Sequence, residues 1–274
     1  MTQQVRHAET FASLHKVGQP LLLPNAWDVA SAVVIAGAGA SAIATTSAGV
    51  AWSLGVPDGA DLGAERAAEA IARIVAAVDL PVSADIEAGY GESPEAVAAT
   101  VTAVVRAGAV GVNIEDRIGS RLFDPAAQVE RLVAAREAAR TLGVPVWINA
   151  RTDIYLAGIG APEERPGLTE QRASAYAEAG IDSLFVPGLV DTDVIRGLAE
   201  GPVPISVMAW AGAPSVAEFA AAGAVRISLG SGIAQAAYAV AERATKELLT
   251  SGTYDTTAEA LSFADLNGAV AANR

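Results

Sequence analysis

Short apolar runs of β-branched and aliphatic residues alternate with Ala/Glu/Arg-rich stretches whose apolar positions recur at helical spacing, from one end of the chain to the other. The runs predict strands over residues 20–24, 42–45, 82–85, 111–114, 144–148, 183–186, 205–207 and 225–228. The intervening stretches predict helices, among them 64–77, 94–107, 125–142, 169–179 and 215–222. Ser93-Pro94 and Asp124-Pro125 each set a capping residue before a proline at the first helical position. Gly108, Gly143, Gly180 and Gly223 stand where a helix must stop before the next strand. Eight β-then-α units are the count of a closed (β/α)8 TIM barrel, and no linker divides the 274 residues, so one domain over 1–274 is expected. A doubly wound sheet fits less well, because the first strand ends Pro24-Asn25-Ala26-Trp27-Asp28 and not in a phosphate-binding glycine loop. A helix around 8–15 precedes the barrel, and a helical tail, 251–274, follows it, to pack on a partner subunit or on the barrel wall.

Composition narrows the chemistry. A 52% hydrophobic chain of this length supports one large core, and a net charge of −13 argues against a nucleic-acid partner. The N-terminus is polar, without the apolar run of a signal segment, and no stretch approaches the ~18 apolar residues of a membrane span, so no membrane partner is expected and the cytoplasm is the expected compartment. There is no cysteine, which excludes thiol nucleophiles and Cys-bound zinc. The histidines (His7, His15) and lysines (Lys16, Lys246) all lie away from strand ends, so a Ser-His pair or an imine-forming lysine has no natural place. Carboxylates, arginine, tyrosine, hydroxyls and a bound metal remain.

Active sites of such barrels form at the C-terminal ends of the strands. Those positions carry Asn25 and Asp28, Thr45-Thr46-Ser47, Asp85 and Glu87, Asn113, Glu115 and Asp116, and Asn149 through Asp153. Asp85 and Glu87 are two residues apart and point the same way if the strand continues. Acids at the ends of adjacent strands suit a hard divalent cation, so Asp85, Glu87 and Glu115 are the candidate metal ligands, for Mg²⁺ first and Mn²⁺ second. Asp28, Asp116 and Asp153 are read as caps or salt-bridge partners. Arg151 either neutralises the acidic cluster or grips a substrate carboxylate with its planar fork, and the second reading is preferred. The four tryptophans, Trp27, Trp52, Trp147 and Trp210, lie in or just after strands and are candidates to wall the mouth, Trp27 as a substrate contact. The glycine-rich segments 211–215 and 228–232 serve either as a phosphate site or simply as tight turns.

Several of these segments together resemble the isocitrate lyase/phosphoenolpyruvate mutase superfamily: Asn25-Ala26-Trp27-Asp28, Thr46-Ser47-Ala48-Gly49-Val50, Leu54-Gly55-Val56-Pro57-Asp58, Ala84-Asp85-Ile86-Glu87-Ala88-Gly89-Tyr90-Gly91, Asn113-Ile114-Glu115-Asp116 and Asn149-Ala150-Arg151-Thr152-Asp153. Phe185-Val186-Pro187-Gly188-Leu189 and Arg226-Ile227-Ser228-Leu229-Gly230 extend the resemblance over nearly the whole chain. It implies a barrel in a homotetramer whose subunits exchange their eighth helix. It implies Mg²⁺ near Asp85, held by Glu87 and Glu115 partly through water, with Thr46, Ser47 and Ala48 binding a substrate carboxylate. Asp58 and Arg151 complete the site, so Arg151, Asp58 and Glu115 are the candidate catalytic residues and Asp85 and Arg151 also face the substrate. The implied reaction makes or breaks a C–C or C–P bond beside a 2-oxo acid through a metal-stabilised enolate.

The sequence departs from that pattern in one loop. Lyase members carry a Lys-Lys/Arg-Cys-Gly-His segment and mutase members a Lys and an Asn, whereas residues 116–124 here contain no Cys, His, Lys or Asn. A small 2-oxo acid such as oxaloacetate, cleaved by decarboxylation or hydrolysis, asks least of this loop. Phosphonopyruvate-type C–P chemistry, a (2-methyl)isocitrate-type cleavage and non-catalytic binding of a 2-oxo acid are the alternatives.

Overall fold

The computed structural model of the protein describes residues 1–60 and 62–272. Strands β1 (Leu21–Leu23), β2 (Asn25–Ala26), β3 (Ile43–Thr45), β4 (Val82–Asp85) and β5 (Gly111–Glu115) are followed by a small hairpin, β6 (Arg117–Ile118) and β7 (Arg121–Leu122). Then come β8 (Trp147–Arg151), β9 (Ser183–Phe185), β10 (Ile205–Met208) and β11 (Ala224–Ser228). Helices α1 (Gln3–Leu14), α2 (Val29–Gly37), α3 (Ser47–Ser53), α4 (Ala64–Ala76), α5 (Pro94–Arg106) and α6 (Pro125–Thr141) alternate with them. They are followed by α7 (Arg165–Glu178), α8 (Thr192–Ala199), α9 (Val216–Ala221), α10 (Gly232–Ser251) and α11 (Phe263–Ala271).

The parallel sheet runs β1-β11-β10-β9-β8-β5-β4-β3-β2. Its two ends are halves of a single strand interrupted at Pro24, so the sheet closes on itself as an eight-stranded α/β barrel. The first half pairs with β11 and the second with β3. Pro24 has no N–H to give to a ladder, but its carbonyl still accepts from Ala44 N at 3.0 Å, which explains the split of the single strand expected over 20–24.

One strand begins later than the sequence suggests. The run 144–148 reads as a strand, but Pro145 cannot donate and Val146 N bonds back to Val144 O at 2.8 Å, so pairing starts at Trp147 and extends to Arg151. This shift matters, because it places Asn149 and Arg151 within the ladder. The first helix also begins earlier than expected, at Gln3, because Thr2 caps Val5 N. The seventh likewise begins at Arg165 and not at Thr169. Asp28 forms a capping box with Ser31 at the start of α2, as its reading as a cap predicted.

Across β4, β5, β8 and β9 the register sets Asp85, Asn113, Asn149 and Ser183 side by side. Asn149 Nδ2 donates to Asn113 Oδ1 (2.8 Å) and Ser183 Oγ to Asn149 Oδ1 (2.6 Å), while the fully buried Arg226 reaches across from β11 to the same Asn113 oxygen (3.1 Å). Burial lowers the Arg226 guanidinium to about 10, with the charge of Asp85 working against that shift. The bottom of the barrel is closed by α1. Phe11, fully buried, lies against Gly111, where any side chain would strike its ring, and His15 stacks on Trp147 at 4.0 Å. Burial, then the nearby Arg226 charge, lowers His15 to about 3 and keeps it neutral. Trp147 is therefore a floor residue, not part of the mouth, and Trp52 lies within α3, not beside a strand. At the other terminus α11 packs against α2, so the tail lies on its own barrel wall; its last two residues, Asn273 and Arg274, fall outside the described residues. Among the described residues no helix is long and apolar enough to cross a membrane.

Phe11→Ala removes the stopper of the barrel floor and is expected to cost about 3–5 kcal/mol of unfolding free energy, measured by urea denaturation. A loss below about 1 kcal/mol would show that α1 is only an appendage.

Candidate active site

The C-terminal ends of β3, β4, β5 and β8 surround a basin of carboxylates. Asp85, the last residue of β4, is fixed from the β3 side. Its backbone N–H donates to Thr45 Oγ1 (2.9 Å), and its Oδ2 accepts from Ser47 Oγ (3.0 Å) and Ser47 N (3.4 Å). Thr46 caps α3 by accepting from Gly49 N, so Ser47 and Ala48 form a buried first helical turn directed at Asp85. An aspartate at a helix N-terminus is also favoured by the helix dipole.

Glu87 lies beyond the end of β4, in the left-handed region (φ 49°), so it does not share a face with Asp85 by strand alternation as expected. It approaches Asp85 because the chain turns there. Tyr90 is left-handed too (φ 50°), and its hydroxyl is hydrogen-bonded with the Glu87 carboxylate. Such backbone at non-glycine residues is costly and marks a site held in place by its surroundings. Glu87 Oε1 is buried and has no hydrogen-bond partner among the described residues. Burial, then the charges of Asp85 and Asp58, raise the Glu87 carboxyl to about 7. Asp58, from the segment between α3 and α4, is likewise raised by burial and by Asp85, with Arg151 opposing.

Glu115 closes β5 and faces Arg151, the last residue of β8, at 2.9 Å. Arg151 also sends Nε (2.6 Å) and Nη2 (3.0 Å) to Asp153. All three of its nitrogens thus meet carboxylates, which makes it the charge at the centre of a buried network. Burial pushes the Glu115 carboxyl up, the Arg151 charge opposing. Burial would also raise Asp153, but the Arg151 charge and the hydrogen bonds from Arg151 and Arg117 outweigh it, and its pKa falls. Asp116 points away from the basin, accepting from Arg172 Nη1 (3.0 Å) and Tyr176 Oη (2.8 Å), as the salt-bridge reading predicted.

Among the described residues no three acidic or histidine side chains close into a cage around an ion. Asp85 and Glu87 instead leave an open, oxygen-only face, with one partnerless buried oxygen and mutual repulsion that a cation would relieve. That donor set fits a hard divalent cation that keeps several waters. Glu115 is engaged by Arg151. Trp27 is half-buried against α3, beside Gly49 and 6.4 Å from the Tyr238 ring of α10, so it forms the flank of the basin. Trp210 is exposed after β10.

A family model for phosphoenolpyruvate phosphomutase matches residues 11–249. The chain belongs to this family, within the isocitrate lyase/phosphoenolpyruvate mutase superfamily. It is similar to 2-methylisocitrate lyase of Escherichia coli, with 32% identity over 198 residues, 68% of this chain and 64% of that one. It is 42% identical to a Burkholderia cenocepacia protein described as a candidate phosphonomutase, whose crystal structure superposes with a TM-score of 0.83 over 91% of this chain and all of that one. The fold is shared with oxaloacetate acetylhydrolase (TM-score 0.85, 23% identity, 96% and 93% covered). Relatives in this family are lyases and mutases, and an enzyme of that superfamily is what the geometry describes.

The motif segments are the ones that assemble the basin, and three arginines that no motif reading singled out complete it. Arg117 donates Nε to Asp153 Oδ2 at 2.6 Å. Arg131 is held by the carbonyls of Ala88, Gly91 (2.8 Å) and Glu92, with its guanidinium 4.1 Å from the Phe123 ring. Arg172 holds Asp116. Arg131 and Arg172 lie at buried positions of α6 and α7, and a charged residue on the apolar stripe of a helix is the signal that could have found them.

Glu87 keeps a proton in the folded, metal-free protein that the unfolded chain releases above its ordinary pKa of 4.5. Its contribution to stability is complete below pH 4.5 and gone once the pH has risen through about 7. Glu87→Gln is therefore expected to flatten the fall in melting temperature of the metal-free protein between those two values. An unchanged slope would place Glu87 in solvent.

Proposed function

We propose that the protein is a Mg²⁺-dependent cytoplasmic enzyme that cleaves a C–C bond of a small 2-oxo acid, with oxaloacetate-type decarboxylation or hydrolysis as the reaction. The observation that carries this reading is the partnerless, buried oxygen of Glu87, a carboxyl on which the Asp85 charge acts, at the strand ends of a barrel of this family. Asp85 and Glu87 would hold the cation, with Glu115 reached through water; Mn²⁺ suits the same donors. When bound, the cation supplies the Lewis-acid pull on a keto oxygen that lysine-independent 2-oxo-acid chemistry requires.

The protein's own groups do the rest. In the first turn of α3, capped by Thr46, the Ala48 backbone N–H would meet a substrate carboxylate, joined by the Ser47 donors once a cation takes the Asp85 oxygen that they now hold. Arg151 fixes the position of Glu115 and adds positive charge next to the reacting carbon. Asp58, whose carboxyl is raised by burial and then by the Asp85 charge, is the candidate proton carrier of the basin. Trp27 excludes water along the flank. The segment between β5 and α6 is a tight hairpin without Cys, His or Lys, and its Asp116 and Asp124 are taken up by Arg172 with Tyr176 and by the cap of α6, which favours a leaving group that needs no proton, such as carbon dioxide. The likeness to the Burkholderia protein supports phosphonopyruvate-type C–P chemistry as the second reading.

The subunit arrangement belongs to the same proposal. α10 runs 20 residues with only Ala234 buried, and Tyr238, Val240, Leu248 and Leu249 are exposed along it. An apolar trench of about 730 Å³ lies open beside β1 and β11, lined by Leu21, Leu23, Ile35, Ile227 and Ile233. A homotetramer exchanging this helix covers both. Sedimentation equilibrium is expected to return a tetramer, and a 27.7 kDa species would refute the exchange.

Purified protein with Mg²⁺ is expected to release pyruvate or oxalate from oxaloacetate and to leave phosphonopyruvate and methylisocitrate untouched, read by coupled assay and chromatography. Asp85→Ala is expected to lower turnover by roughly 10³-fold or more without loss of fold. Phosphate release would establish the second reading, cleavage of methylisocitrate would place the chain with the lyases, and tight binding of a 2-oxo acid without turnover would make it a binding protein.

A further inference from the structure

Arg151 is not free to meet a second negative group on a ligand, because its Nε and Nη2 are engaged by Asp153 and its Nη1 by Glu115. A second guanidinium stands beside it. Arg117, the first residue of β6, donates Nε to Asp153 Oδ2 at 2.6 Å and Nη1 to Gly119 O. Its Nη2 makes no hydrogen bond among the described residues, and its side chain is 27% exposed, against 13% for Arg151. Two nitrogens fix the fork, and the third is left over at the rim of the basin.

The hairpin that carries Arg117 is held rigidly. Phe123 N donates to Asp116 O at 2.8 Å, and Phe123 O accepts from Arg172 Nη2 at 3.0 Å. The Phe123 ring lies against Arg131, which in turn holds the carbonyls of Ala88, Gly91 and Glu92. The segments after β4 and β5 are therefore tied into one wall. A guanidinium fixed before the ligand arrives costs little entropy on binding. It also answers an electrostatic need. Asp58, Asp85, Glu87, Glu115 and Asp153 make the basin strongly acidic, and an anion at its rim needs a nearby positive charge.

We propose that Arg117 is a specificity-determining residue that binds, through Nη2, the distal anionic group of a 2-oxo acid, a carboxylate or a phosphonate. The proposal rests on the 2-oxo-acid reading of the basin given above. It makes the preferred ligands those with a second negative group beyond the keto carbon, and it assigns to a fixed arginine the selection that a mobile loop could otherwise make.

The test compares four ligands in the presence of Mg²⁺ by calorimetry. Oxalate and 2-oxobutyrate lack a distal anion; 3,3-difluorooxaloacetate carries a distal carboxylate and phosphonopyruvate a distal phosphonate. Arg117→Met is expected to weaken the last two by roughly tenfold or more while oxalate and 2-oxobutyrate stay within about twofold. The ligand that wild type binds more tightly tells which distal group the site was built for. Arg117→Lys keeps the charge but loses the fork, and is expected to give the same selective loss at smaller size. It carries the comparison if the Met variant fails to fold. A loss shared equally by all four ligands, or no loss for either distal anion, would overturn the assignment of Arg117 while leaving the basin reading intact. Wild type binding oxalate and 2-oxobutyrate but neither distal anion would do the same. Wild type binding none of the four would overturn the 2-oxo-acid reading itself.

Discussion

Mutual repulsion among carboxylates is the constraint around which the mouth of this barrel is organised. Asp58, Asp85, Glu87, Glu115 and Asp153 come from four segments, and acidic neighbours add to burial in raising the carboxyls of Asp58, Glu87 and Glu115. Half of that repulsion is contained within the protein. Arg151, with Arg117 beside it, neutralises Glu115 and Asp153 at distances of 2.6 to 3.0 Å. The other half, Asp85 with Glu87 and Asp58, has hydroxyl and N–H donors but no ion-pair partner among the described residues. Stability and function pull apart here, since a fold selected only for stability would not leave a buried carboxylate oxygen without a partner.

A second set of charges serves to position the first. Asp116, Arg172 and Tyr176 form a buried triad that fixes the start of the hairpin, and Arg131 ties the two loops that carry Glu87 and Arg117. Breaking one partner of such a triad leaves an uncompensated charge in the interior, so its members are expected to be far less replaceable than the surface pairs Arg140–Glu137 or Lys246–Glu242. Beneath the basin, the Asn113–Asn149–Ser183 row with Arg226 replaces the usual apolar layers of a barrel interior. The floor is sealed by Phe11 and the His15–Trp147 stack instead.

Much of this was legible in the sequence. Alternation of β-type runs with capped helices gives the barrel, and reading only the residues at strand ends collects Asp85, Glu115 and Arg151. What was not legible depends on backbone detail. Period-two alternation would pair Asp85 with Glu87 on one face, but β4 stops at Asp85, and Glu87 reaches the basin through a left-handed turn that no propensity predicts. Pro145 delays β8, which moves Trp147 to the floor and Arg151 into the ladder. The pairing of Arg151 with two acids at once, like the role of Arg117, depends on side chains from segments distant in sequence, and spacing alone carries no information about it.

An anomalous-difference map from a crystal soaked in MnCl₂ and oxalate tests the central claim most directly. One strong peak is expected against the Asp85 carboxylate, with Glu87 turned toward it and oxalate lying between the ion and the first turn of α3. A basin without a peak, or an ion held elsewhere with Glu87 Oε1 still without a partner, would contradict it.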